Sequence, residues 1–186
     1  MQFRSECLMS ENHVDSLVTK YQARGVVIDT NLLLVYLMGK YSVDRLSRFK
    51  RTASYSEEDY ELLVDIISKF SRVITTPHVL TEVSNLTGQL SGELRREFFQ
   101  HFGEELKFLD EEFNPAFEVC RNHQFTYLGL TDSAIIRCSK SRYLVLTDDA
   151  GLFYALSDEG VDVINLNQIR GERLETDEKL RKHRLS

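Results

Sequence analysis

Two rhythms of apolar positions alternate along the chain. Val26-Val27-Ile28 is an unbroken β-branched run, which predicts a strand buried on both faces at about 25–29. Similar runs predict strands at about 72–76, 143–147 and 161–166, with a short one at 125–128. Between them, apolar residues recur every three or four positions, as on a core-facing helix. Val14, Leu17, Val18 and Tyr21 predict a helix over 10–23 that Ser10 can cap, and residues 31–52 are expected to be helical, punctuated at Met38-Gly39. Ser56 and Asp59 form a capping-box pattern for a helix through Phe70. Pro77 suits the first turn of a helix ending near Gly88. Leu94, Phe98, Phe102, Leu106, Leu109 and Phe113 lie on one stripe of a long helix over 92–113, followed by a helical segment over 114–122. Thr131 can cap a helix over 132–141, and residues 149–158 form another, stopped by Gly160.

Strands alternating with helices imply an α/β fold, a parallel sheet with helices on both faces. The length of 186 residues fits one domain with an elaboration. Its expected limits are an N-terminal helical extension over 1–24, a domain over 25–167 elaborated at about 39–71, and a charged tail over 168–186.

Composition narrows the function classes. The net charge of −6 is not that of a protein that coats nucleic acid, although it leaves room for an enzyme that grips nucleic acid locally. Cys7, Cys120 and Cys138 lack metal-type spacing and read as free thiols, and the five histidines contain no i, i+4 pair, which argues against zinc. There is no signal pattern and no apolar run long enough to span a bilayer, so the expectation is a cytoplasmic protein without a membrane partner.

Candidate chemistry lies in the acids. Asp29 ends the first strand, Glu82 follows the second, Asp132 sits in the first turn of a helix, and Asp148 and Asp149 follow Leu144-Val145-Leu146-Thr147. In a parallel sheet the strand-to-helix junctions share one edge, so residues distant in sequence can converge there. Carboxylates without histidine or cysteine suit the hard cations Mg²⁺ and Mn²⁺, which can activate water for phosphodiester hydrolysis. Each acid also has a local reading. Asp29 and Asp149 can cap helices, Asp132 can favour a helix dipole, and Glu82 can face solvent.

Asp29-Thr30-Asn31 after an apolar strand, then Glu82, Thr131-Asp132-Ser133-Ala134-Ile135-Ile136, and Leu146-Thr147-Asp148-Asp149 together resemble the PIN-domain nucleases over about residues 25–167. The resemblance implies a three-layer α/β/α sandwich and an Mg²⁺- or Mn²⁺-dependent endoribonuclease acting on single-stranded or structured RNA. It marks Asp29, Glu82, Asp132 and Asp149 as catalytic metal ligands, with Asp148 as a further contact. Asn31 would orient the first aspartate, and Thr30 and Thr147 would line the site. Small toxin members often carry an acid where this chain has Leu152, and they lack so long a 39–71 segment, so two features depart from the toxin pattern. A toxin held by an antitoxin or other regulatory protein and an RNA-processing or defence nuclease are the two roles the resemblance offers.

The rival from another class is a catalytically silent scaffold that binds RNA or protein. The basic residues Arg45, Arg48, Lys50 and Arg51, and Arg137, Lys140 and Arg142, are candidates for phosphate contact, although surface solvation explains each of them singly. The apolar stripe of the long helix offers a face for a homodimer.

Overall fold

The computed structural model describes residues 11–171. In chain order they form α1 (Glu11–Tyr21), β1 (Val26–Ile28), α2 (Thr30–Tyr41), a 3₁₀ turn (Val43–Arg45), α3 (Glu57–Ser68), β2 (Val73–Thr75), α4 (Pro77–Thr87) and α5 (Gly92–Glu105). A second 3₁₀ turn (Leu106–Phe108) leads to β3 (Asp110–Glu111), α6 (Ala116–Val119), α7 (Phe125–Ser139), β4 (Leu144–Thr147), α8 (Ala150–Asp158) and β5 (Val163–Asn165). A helical turn follows at 166–171. Ser10, Cys7 and most of the charged tail lie outside the described residues.

The five strands pair in the order β3-β2-β1-β4-β5, all parallel, with Val27 opposite Ile74 on one side and Val145 on the other. Crossovers run left from β1 and right from β4. Because parallel crossovers are right-handed, this places helices on both faces and makes a three-layer α/β/α sandwich. β1 and β4 are fully buried, as continuous apolar runs require. α2 packs against α3, α4 and α5, and α7 against α8. Among the described residues, no helix is long and apolar enough to cross a membrane.

Four expected elements come out differently. The helix expected over 31–52 stops at Tyr41, where Ser42 turns extended (φ −169°). Gly39 lies inside that helix, where a Cβ would come within 2.3 Å of the Tyr60 ring on α3, so the glycine serves close packing. Beyond it, Leu46, Phe49, Thr52 and Tyr55 are buried at every third position, and the Thr52 hydroxyl donates to the Leu46 carbonyl. That spacing belongs to tight successive turns rather than to an α-helix.

The helix expected over 92–113 ends at Glu105, and the third sheet strand is Asp110–Glu111 within the same stretch. This edge strand is exposed on both faces and so carries no apolar signal. It is held by Glu112 N–H donating to the Thr75 carbonyl (2.9 Å) and by the Arg72–Asp110 ion pair (2.5 Å). Phe98 and Phe102 of α5 are buried in the core and Leu94 and Leu109 pack partly against it, while Leu106 and Phe113 of the same stripe are exposed.

Residues 125–128, expected as a strand, are the first turn of α7. Gly129 (φ 78°, ψ −168°) then breaks the helix, in a conformation that glycine adopts at little cost. Thr131 is therefore not the cap. Asp132 still occupies the first turn after the break, as expected, although a kink rather than a strand delivers it.

Candidate active site

The site lies at the carboxyl edge of β1, β2 and β4. The chain passes directly from β1 into α2, so Asp29 becomes the N-cap: its Oδ1 accepts from Leu32 N–H (2.9 Å). Its Oδ2 accepts from the Thr147 hydroxyl at the end of β4 and from Asp148 N–H (3.2 Å) just beyond it. Asp29 is only 3% exposed. Burial first, and the neighbouring Asp148 charge second, push its carboxyl up to about 7 despite these three hydrogen bonds.

The second part of the site spans α4, α7 and the β4–α8 junction. Glu82, half-buried on α4, accepts a hydrogen bond from the Thr30 hydroxyl (3.3 Å), which ties it to the Asp29 turn. Asp132 is half-buried, and burial followed by the Asp149 and Glu82 charges pushes it up to about 6. Asp149 is exposed and caps α8, its Oδ1 accepting from Leu152 N–H (2.8 Å) while its own N–H donates to the Thr147 hydroxyl oxygen (3.0 Å). Thr147 thus touches both Asp29 and Asp149. The local capping readings of Asp29 and Asp149 hold.

Asp148 has surroundings the sequence did not announce. Its Oδ2 accepts from the Tyr55 hydroxyl, while its Oδ1 is buried with no hydrogen-bond partner. Its backbone carbonyl accepts from the Asn167 amide (2.9 Å). Burial and the Asp148 charge raise the Tyr55 hydroxyl far above its ordinary value, so it stays a donor. The one sequence signal toward Tyr55 is the three-residue apolar spacing that buries it.

An open cleft of about 560 Å³ runs between α4 and α7, with Glu82 and Asp132 in its wall beside His78, Asn85, Leu128 and Thr131. The His78 Nδ1 in this wall is buried without a partner. Among the described residues no ion pair neutralises Asp29, Glu82, Asp132, Asp148 or Asp149. As the side chains stand, no three or more His, Cys, Asp or Glu among the described residues are gathered closely enough to hold a metal ion.

The remaining candidates are placed as follows. Asn31 is exposed and makes no hydrogen bond to Asp29, whose orientation is set by Leu32, Thr147 and Asp148. Arg137, Lys140 and Arg142 lie toward the far end of α7 and beyond, Lys140 about 12 Å along the helix from Asp132. They pair with Glu118, Glu159 and Glu112 respectively. Arg48, Lys50 and Arg51 are exposed on the turns leading to Tyr55 and form no ion pair with another described residue; Arg45 is half-buried at their start. No protein-family model matches the chain, and no curated protein compared with it matches either.

Proposed function

We propose that this protein is a metal-dependent endoribonuclease of the PIN type, with Asp29, Glu82, Asp132 and Asp149 as the principal acids around Mg²⁺ or Mn²⁺. The observation that carries the reading is an uncompensated charge. Separate segments bring carboxylates to one sheet edge, burial and mutual repulsion raise Asp29 and Asp132 to about 7 and about 6, and no cationic side chain among the described residues answers them. Anions held this way are stabilised by a cation.

The residues suit that cation in chemistry. All donors are hard oxygens, and the buried Asp148 Oδ1 lacks any donor to satisfy it. Binding a cation is expected to draw these carboxylates together.

When bound, Mg²⁺ or Mn²⁺ supplies an activated water for attack at phosphorus and charge stabilisation for the leaving oxygen. The chain supplies the frame. Leu32 N–H, Thr147 and Asp148 N–H fix Asp29, Thr30 fixes Glu82, and the buried β1 and β4 ends beneath them exclude bulk water. The cleft beside Glu82 and Asp132 offers His78 and Asn85 as hydrogen-bonding groups and Leu128 as an apolar surface for an RNA strand.

The test is cleavage of end-labelled single-stranded RNA with Mn²⁺ or Mg²⁺. The expected result is cleavage that chelator abolishes and that the Asp132→Asn protein lacks. Equal cleavage by that variant would overturn the assignment, and absence of cleavage with RNA binding retained would favour the silent scaffold.

A further inference from the structure

Tyr55 reaches the acids from outside the strand edges, its hydroxyl donating to Asp148 Oδ2. It arrives from the turns between α2 and α3, 93 residues before its partner, and is 7% exposed. Its position is over-determined. The buried Leu46, Phe49 and Thr52 precede it at three-residue spacing, and its N–H donates to the Thr52 carbonyl (3.0 Å). The Arg170 guanidinium lies 5.8 Å from its ring centroid and pairs with Asp59 of α3 (2.7 Å). Asn167, which accepts from Arg170 (3.1 Å), donates to the Asp148 carbonyl. Tyr55 and the turn after β5 therefore clamp Asp148 from its side chain and its backbone at once.

We propose that Tyr55 is a positioning residue for the acidic site, its hydroxyl holding Asp148 Oδ2 so that Oδ1 is left for the divalent cation beside Asp29. The inference rests on the metal-site reading above and assigns the elaboration at 42–56 a role in it. Three observations support it. One oxygen of Asp148 is hydrogen-bonded and the other is buried without a donor. Asp148 N–H touches Asp29 Oδ2 at 3.2 Å, so the two acids are neighbours. The Tyr55 hydroxyl has no other hydrogen-bond partner among the described residues. Second partners of this kind orient carboxylate ligands and set their affinity.

The experiment is Mn²⁺ titration by calorimetry of the full chain, its Tyr55→Phe variant and its Asp148→Asn variant, with thermal melts alongside. Tyr55→Phe keeps the ring and its Arg170 contact and removes only the hydroxyl. The expected result is a Kd for Mn²⁺ about 10-fold weaker in Tyr55→Phe, and a higher Mn²⁺ requirement for RNA cleavage with the rate at saturating Mn²⁺ largely restored. Asp148→Asn, whose carbonyl can still accept from Tyr55, should weaken Mn²⁺ at least as much. A parent that binds Mn²⁺ with a Kd that Tyr55→Phe leaves unchanged overturns the positioning role while leaving the metal site standing, even if the variant melts lower. Unchanged binding by Asp148→Asn overturns it equally. A parent that binds no Mn²⁺ overturns the metal reading itself, and this inference with it.

Discussion

The Asp29→Asn protein is expected to be more stable than the parent at pH 8 without metal and almost inactive on RNA. Asp29 is 3% exposed, and burial and the Asp148 charge put its carboxyl at about 7, so at pH 8 the fold carries a buried anion. An asparagine keeps an acceptor for Leu32 N–H and can donate to the Thr147 oxygen, but the Asp148 N–H loses its partner. Removing the charge gains several kcal/mol at most and the lost hydrogen bond returns about 1 kcal/mol, leaving a net gain on the order of 1–3 kcal/mol. For a chain of this size that is roughly 3–8 °C in Tm. RNA cleavage should fall on the order of 10³-fold, the cost of removing several kcal/mol of transition-state charge stabilisation. Thermal melts and single-turnover cleavage check the two halves, and a variant that melts lower and cleaves as well as the parent would refute both.

Metal-free parent protein should lose stability as pH rises from about 5 to about 8, and Mn²⁺ should restore it. Asp29 and Asp132 have folded values of about 7 and about 6 against an ordinary 3.8, so between these limits the folded state holds protons that the unfolded chain has released. Unfolding then releases protons, and stability falls with pH through that window and levels off above it. The expected drop is on the order of a few kcal/mol, read as a Tm roughly 10 °C lower at pH 8 than at pH 5. Mn²⁺ at 100 times its Kd should add about 2.7 kcal/mol at pH 8. At pH 5 it should add much less, because binding must first displace the protons. In the Asp29→Asn protein the slope should shrink. A Tm that rises with pH, or one that Mn²⁺ leaves unmoved at pH 8, would contradict the account.

What was legible in the sequence follows from where burial writes a pattern. β1 and β4 are apolar without interruption because both faces are covered, and they deliver Asp29 and Thr147 to the same edge. The Ser56–Asp59 capping box and Pro77 at the start of α4 are local chemistry, and both stand as read. β3 was hidden because two exposed acidic residues at a sheet edge need no apolar residue, only a backbone ladder to Thr75. Residues 125–128 carry strand-like aromatics, yet Tyr127 is 87% exposed and the decisive event is the break at Gly129.

The candidate site was legible one acid at a time. Asp29, Asp148 and Asp149 sit at junctions that the strand pattern marks, whereas Glu82 lies inside α4 and a helix kink, not a strand, delivers Asp132. The links among those acids were not legible. Thr147 bridging Asp29 to Asp149, Thr30 holding Glu82, and Tyr55 reaching Asp148 are tertiary contacts between distant segments. The basic residues divide for the same reason. Topology puts Arg137, Lys140 and Arg142 toward the opposite end of α7, against glutamates, while Arg48, Lys50 and Arg51 ride on the turns that carry Tyr55 to the site.

The central claim is that these strand-edge carboxylates form one cation site, and calorimetric titration of the full chain with Mn²⁺ near pH 6.5, repeated in buffers of different ionisation enthalpy, tests it most directly. The predicted result is saturable binding with net proton release, because Asp29 and Asp132 are partly protonated at that pH. Both the affinity and the proton release should drop in Asp29→Asn. No saturable binding, or binding that Asp29→Asn and Asp132→Asn both leave unchanged, would contradict it.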